Sequence, residues 1–278
     1  MRPARRGSRR RRARRVIPPP ALVGPDADAR GQQRLRGGPF AESYDSRLGL
    51  DRPLAEHAAA RLLARRRGGR ALQLGCADCV MTECLVGHFS RLDVVAAAEA
   101  YARQAAAVIA GRGRAYHCLF EEFEPDTDYD VIVIAGALEH VAEPRQLLSR
   151  AAAWLAPGGE IHIIVPNAGS LHRRLAILLG LLDRVEQPSE SDLAIGRRRV
   201  YTWRSLAIDI TAAGLELIAI DGFFLKPLPR AALQPWPQAA KRLLFRLGAL
   251  APQLCSQIHA VAGLPGRLAF PPPALALR

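Results

Sequence analysis

Three stretches of this chain carry residue types and spacings that could do chemistry. The first is Arg70-Ala71-Leu72-Gln73-Leu74-Gly75-Cys76-Ala77-Asp78-Cys79, an apolar run that breaks at a glycine and leads into a helix-compatible segment. Gly75 lets the backbone approach a ligand closely, and the helix that follows offers free N–H groups to a carboxylate or phosphate. The second is Glu99, 24 positions after Gly75, placed to accept hydrogen bonds from a ribose diol. The third is Glu139-His140 at the end of another apolar run. His140 can take a proton near neutral pH, or it can be a loop histidine that bonds a backbone carbonyl.

Cys76-x-x-Cys79 reads either as half a metal site or as a redox pair. A zinc site would need a second ligand pair at suitable spacing, and none is evident, so no metal is expected. The five cysteines, Cys76, Cys79, Cys84, Cys118 and Cys255, are odd in number and follow no secretory apolar segment. That combination points to a reducing cytoplasm rather than a disulfide framework.

The elements that must position these residues alternate. Asp51 can cap a helix with Pro53 in its first turn, whose stripe is Leu54, Ala58, Leu62 and Leu63 and whose stop is Gly68-Gly69. Strands are expected at 70–74, 93–98, 115–119, 130–135 and 160–165, and helices at 80–88, 101–110 and 144–155. Strand then helix, repeated, gives right-handed βαβ units and a parallel sheet covered on both faces. Asp130-Val-Ile-Val-Ile-Ala has the continuous apolar run of a central strand. In such a sheet a ligand binds beyond the carboxyl ends of the strands, where the strand order reverses. The candidates are therefore the residues just after each strand: Gly75 to Asp78, Glu99, Phe120 to Glu122, and Ala135 to His140. A dinucleotide loop would want G-x-G-x-x-G, but the frame reads Gly75-Cys-Ala77-Asp-Cys-Val80. A P-loop is also absent, which leaves a mononucleotide-like ligand without a pyrophosphate.

Leu72-Gln-Leu-Gly75-Cys-Ala-Asp-Cys, Glu99, Leu138-Glu-His-Val141-x-x-Pro144 and Trp154-Leu-x-Pro157-Gly-Gly159, in this order, resemble the successive motifs of class I S-adenosylmethionine-dependent methyltransferases. The similarity is to the branch of small-molecule and sugar-modifying enzymes with an L-E-H-V segment, and it covers roughly residues 41 to 263. It implies an α/β, Rossmann-like three-layer sandwich with a seven-stranded, mostly parallel sheet and an antiparallel last strand. Strand six is then expected at 215–221, strand seven at 254–262 and a helix at 238–250.

Carried over by position, the resemblance puts Gly75, with Gln73, Cys76 and Ala77, against the methionine part of S-adenosyl-L-methionine. Glu99, with Ala100, would bind the ribose. Phe120 and Glu121 would flank the adenine, Ala135, Gly136 and Leu138 would line the floor, and Tyr44 would close over the cofactor. The expected activity is transfer of a methyl group to oxygen or nitrogen of a small-molecule or glycan acceptor, with a lipid-linked one also open. His140 and His172 are the base candidates. The family usually has an acid at Gln73 and glycines at Ala77 and Cys79. If Ala77 and Cys79 need positive φ, the loop carries ~1–2 kcal/mol of strain at each. A catalytically degenerate, methyltransferase-like binding or scaffold protein is the alternative.

The remaining features concern partners. Nine arginines lie in the first fifteen residues, and without them the net charge falls from +13 to about +4, ordinary for a soluble domain. Residues 1–39 therefore read as a disordered, arginine- and proline-rich tail, either a nucleic-acid arm or a plain solvated tail, and 264–278 as a loose end. The domain spans 40–263. Its insertion at 166–201 is an acceptor-side lid carrying His172, Arg173 and Arg199; the two arginines could hold an anionic acceptor group or tie the lid to the body. The apolar segment 175–182 is expected to pack on that lid, being too short to span a bilayer.

Overall fold

The computed structural model describes residues 50–66 and 68–266. The arginine-rich tail, Tyr44 and the end beyond 266 lie outside the described residues. A single seven-stranded sheet runs in the order β3-β2-β1-β4-β5-β7-β6, and β7 alone is antiparallel to its neighbours. The strands are β1 (Arg70–Leu74), β2 (Arg91–Ala96), β3 (Ala115–His117), β4 (Tyr129–Ala135), β5 (Leu155–Pro166), β6 (Glu216–Leu225) and β7 (Cys255–Gly263). The helices are α1 (Asp51–Arg65), α2 (Val80–Leu85), α3 (Glu99–Ile109), α4 (Pro144–Ala153), α5 (Leu171–Leu178), α6 (Glu190–Ala194), α7 (Trp203–Ala212), α8 (Arg230–Leu233) and α9 (Gln238–Gly248). Among the described residues no helix is long and apolar enough to cross a membrane.

Strand alternation divides the core. In β1 and β4, Leu72, Leu74, Ile132 and Ile134 face a cluster built on α4 and α7, while Ala71, Val131 and Val133 face one built on α1, α2 and α3. Every one of these seven side chains is fully buried, which is why both strands read as continuous apolar runs. Because β1 pairs with β2 on one side and β4 on the other, the chain reverses direction across the sheet at the carboxyl ends of β1 and β4. The crevice that such a reversal opens holds a cavity lined by both strand ends.

Some boundaries depart from the sequence expectations. Strand β2 starts at Arg91, not Asp93, because the Asp93 carboxylate is satisfied inside the fold: it accepts from Tyr129 Oη at 2.8 Å, Arg114 N at 2.8 Å and Arg91 Nε at 2.9 Å. Asp51 is the first residue of α1 and not its cap; Leu50 takes the cap position with no side-chain bond. Strand β6 runs on to Leu225, so Phe223 belongs to the sheet rather than to the connection after it.

The 166–201 insertion is closed at its base by a bridge between Asn167 and Tyr201, with Ala168 N–H donating to Tyr201 O at 2.7 Å. Asn167 anchors it further, donating to the carbonyls of Gln253 at 2.9 Å and Cys255 at 2.7 Å. The inner face of α5 is taken by the buried Arg173, so the leucines beyond it turn outward: Leu178, Leu179 and Leu181 are 81%, 73% and 71% exposed. The expectation that this segment packs on the lid is corrected accordingly.

Helix α1 walls the crevice, and a polar cluster docks it on the sheet. Arg65 forks onto Glu160 with two bonds of 3.0 Å, and Arg61 pairs with Asp221. Behind Glu160, the buried rings of His162 and His259 meet with Nδ1 and Nε2 3.0 Å apart. One ring must donate and the other accept, so the two cannot both be imidazolium. Burial and the neighbouring guanidinium groups hold both histidines below the usual range, and burial lowers His57, which stacks between Phe223 and Phe245, to about 4.

These groups gain protons on unfolding near their ordinary pKa, about 6.5. Their contribution is complete above that value and is lost as pH falls from it toward the lower folded values. Glu160, held near 2 by His162 and Arg65, acts only in the more acidic carboxylate range. Urea unfolding is expected to show stability about 1–3 kcal/mol lower at about pH 5.5 than at about pH 7.5; a flat profile across that interval would contradict neutral burial of these rings.

Candidate functional site

The crevice contains a cavity of about 240 Å³. Its floor is the β1–α2 loop, with Gln73, Gly75, Cys76, Ala77 and Asp78, and the end of β4, with Ala135, Gly136, Glu139 and His140. Helix α1 walls it through Asp51, Leu54, Ala55 and Ala58, and the lid covers it through Ile195 and Arg197. Phe223 of β6 and Gln257 of β7 reach it from the far end of the sheet.

The loop turns from strand to helix within five residues, and three of them have left-handed backbone: Gly75 at φ 81°, Ala77 at 43° and Cys79 at 67°. Glycine does this freely, whereas a Cβ makes it cost ~1–2 kcal/mol per residue. Side chains hold the turn in place. Gln73, 1% exposed, donates from Nε2 to Gly75 O at 3.0 Å and accepts from Thr82 Oγ1 at 3.0 Å, so its amide braces both ends of the loop. Gln104 Nε2 donates to Asp78 O at 2.9 Å, and Cys79 N–H donates to Cys76 O at 2.7 Å. At the neighbouring strand end Gly136 also has positive φ, 62°, and a Cβ there would project into open space. The backbone at both strand ends thus forms a bare cradle.

The cavity's charges are chiefly acidic. Among the described residues, Asp51, Asp78 and Glu139 line it against the single cation Arg197. Glu139 is 1% exposed, and its Oε1 lies 3.6 Å from Arg197 Nε and 4.0 Å from His140 Nε2. Arg197 Nη1 pairs with Asp192 Oδ1 at 2.8 Å. His140 Nδ1 lies 2.9 Å from Gly196 O. A carbonyl only accepts, so Nδ1 carries the proton in that bond and the neutral ring keeps a lone pair on Nε2. The two roles considered for His140, carbonyl bonding and base, are therefore compatible: the lid carbonyl sets the tautomer.

Of the site residues expected from sequence, Gln73, Gly75, Cys76, Ala77, Ala135, Gly136 and His140 line this cavity. Others do not. Leu138 is fully buried and Phe120 nearly so, both within the α4-side core. Glu99 is the first residue of α3, separated from the end of β2 by Ala97 and Ala98, and is paired with Arg103; Ala100 follows it on the surface, and Glu121 lies after β3. His172 is in α5 away from the cavity, where burial and the charges of Lys226 and Arg173 lower its pKa to about 3. Arg173 is spent inside the lid on Val185 O and Asp192, and Arg199 on the carbonyls of Leu138, Val141 and Ala142. Neither faces the cavity. The arginine that does is Arg197, which sequence reading passed over, as it did the contributions of Asp51, Phe223 and Gln257.

With this geometry in hand, comparison with known proteins is informative. A family described as a methyltransferase domain matches residues 48–220, more than half of the chain. A ubiquinone biosynthesis O-methyltransferase of Idiomarina loihiensis is 27% identical over 168 residues, covering 58% of this chain and 67% of that protein. A 1,6-didemethyltoxoflavin-N1-methyltransferase of Burkholderia thailandensis, solved with S-adenosylhomocysteine, superposes with a TM-score of 0.57 at 18% identity, over 89% of this chain and 92% of the other. An S-adenosylmethionine-dependent methyltransferase of Mesorhizobium loti gives 0.51 at 19% identity, over 75% and 97%.

The strained loop makes a prediction of its own. Ala77→Gly relieves ~1–2 kcal/mol of backbone strain against ~0.5–1 kcal/mol of added chain entropy, so it should raise stability by about 0.5–1 kcal/mol in thermal unfolding. Ala77→Val, β-branched at the same φ, should lower it. Equal stability of all three proteins would contradict a left-handed Ala77.

Proposed function

The chain belongs to the methyltransferase-domain family, and on that premise we propose that it transfers a methyl group from S-adenosylmethionine to an oxygen of a hydroxylated small molecule, glycan or lipid-linked acceptor. Bound in the crevice, S-adenosylmethionine supplies an electrophilic methyl group on a sulfonium. The lining suits such a ligand. A bare backbone cradle at Gly75 and Gly136 leaves room for the amino-acid end, and Asp51, Asp78 and Glu139 complement its cationic centres. Gln73 lacks the charge usual at its position, but these acids supply negative charge in the same cavity. Glu99, in the first turn of α3 just beyond β2, would take the ribose hydroxyls in exchange for its Arg103 partner.

One observation carries the choice of oxygen: His140 lines the cavity with its Nδ1 held by Gly196 O, which leaves Nε2 as the accepting nitrogen of the neutral ring. A hydroxyl is a weak nucleophile until its proton is taken, so a positioned base raises the rate. His140 Nε2 accepts that proton. Glu139 then lies 4.0 Å from the imidazolium so formed and stabilises its charge. Alignment of acceptor and methyl group supplies much of the remaining acceleration, and the lid excludes water during transfer. The O-methyltransferase named among the relatives supports the same reading.

The test is a panel of phenols, catechols and hydroxylated sugars with methyl-labelled S-adenosylmethionine, using the full chain and His140→Ala. Label is expected on oxygen, and His140→Ala should lower kcat by about 10²–10⁴ in protein that still binds the cofactor. Label on nitrogen alone, or an undiminished rate in the variant, would overturn the assignment. Folded protein that binds no cofactor would favour the scaffold alternative.

A further inference from the structure

Cys76 and Cys79 are chemically reactive side chains of the loop that methyl transfer leaves unused. They occupy the first and fourth positions of one turn, closed by the 2.7 Å bond from Cys79 N–H to Cys76 O. Such a turn holds its first and fourth Cα atoms within about 7 Å. A disulfide spans about that separation or a little less. Neither is in a disulfide. Cys76 lines the cavity with its Sγ 3.6 Å from Tyr101 O, while Cys79, 0% exposed, lies behind it with its Sγ 4.0 Å from Ala77 O. A hydrogen bond from the Cys76 thiol favours the thiolate of Cys79 and lowers its pKa. At two of the other thiols burial acts the opposite way: it raises Cys84 and pushes Cys255 up to about 12. Holding Cys79 at φ 67° costs stability that a glycine would not, so the loop keeps this thiol against its backbone preference.

We propose that Cys76 and Cys79 form a dithiol that closes to a disulfide when a hydroperoxide enters the cavity, and that closure takes the loop out of its ligand-binding shape. The Cys76 sulfur, reached through the cavity and having passed its proton to the Cys79 sulfur, attacks one peroxide oxygen. The O–O bond breaks and the distal oxygen leaves as hydroxide or alkoxide, giving a sulfenic acid on Cys76. The Cys79 sulfur then attacks that sulfur; the S–S bond forms as the S–O bond breaks, and hydroxide leaves. The two thiol protons end on the two departing oxygens. In sum two thiols are oxidised and one peroxide is reduced to water and an alcohol, or to two waters. A small dithiol reductant reverses the change by exchange. Closure pulls the Cys76 side chain away from Tyr101 and back toward α2, removing part of the cavity wall. The effect on binding rests on the function proposed above, whereas the disulfide itself does not.

The experiment treats the full chain with hydrogen peroxide, follows it by peptide mass mapping, and then titrates S-adenosylhomocysteine by calorimetry before and after dithiothreitol. The expected result is a linked Cys76–Cys79 peptide lighter by two hydrogens, formed ahead of oxidation at Cys84 or Cys118. Affinity should fall by about tenfold or more and return on reduction. Cys79→Ala and Cys79→Ser, each checked for an unchanged circular dichroism spectrum, should give no linked peptide and bind equally with or without peroxide treatment; two different single variants keep the test open if one fails to fold. Oxidation of Cys84 or Cys118 without the linked peptide would overturn the dithiol. A linked peptide with unchanged affinity would overturn its effect on the loop. Reduced, folded protein that never binds S-adenosylhomocysteine would refute the methyltransferase reading, with the linkage still decided by mass.

Discussion

The site depends on how β1 leaves the sheet. Between Leu74 and Val80 the chain must reverse from a buried strand into a helix, and it does so with three left-handed residues, two of which carry a Cβ. Left alone, such a turn would relax. Here it is clamped by one buried amide: Gln73 bonds Gly75 on one side and Thr82 of α2 on the other. Strand, loop and helix therefore move as a unit, and the cradle at Gly75 is preorganised rather than formed on binding. An acid in place of Gln73 could accept from Thr82 but could not donate to the Gly75 carbonyl, so the substitution exchanges ligand charge for rigidity.

The second strand end completes the crevice because the sheet reverses between β1 and β4. Residues 135–140 extend from β4 with Gly136 open and Glu139 buried, and the lid is tied to them on its far side. Arg199 closes on the carbonyls of that segment, Arg198 N–H donates to Glu139 O at 3.0 Å, and Gly196 O receives His140 Nδ1. The insertion after β5 thus does more than cover the cavity. It sets the tautomer of the histidine proposed as base, and it brings Arg197 to the acids that a cationic ligand would meet.

Much of this was legible in the sequence where the signal is local. The glycine after an apolar run placed the loop, alternation placed the strands, and Pro144 with Leu147, Leu148 and Ala151 placed α4. Residues that depend on long-range register were not legible. Phe223 and Gln257 meet opposite each other only because β6 and β7 pair in one register, and Asp51 reaches the cavity only because α1 is docked by Arg65 on Glu160. Arg197 stands in a run of three arginines of which sequence cannot choose one; in the fold Arg197 pairs with Asp192 while Arg199 bonds the carbonyls of Leu138, Val141 and Ala142. Phe120 and Leu138 were ambiguous for the opposite reason. An apolar residue just past a strand reads equally as a ligand wall and as core, and burial assigns both to the core.

The central claim is that the clamped loop and the end of β4 together hold the cofactor. Hydrogen–deuterium exchange of the full chain with and without S-adenosylhomocysteine tests it most directly. Protection is expected in peptides covering 73–82 and 135–140, with little change in α4 or α7. Saturable binding with protection confined elsewhere, or folded protein that shows none, would contradict it.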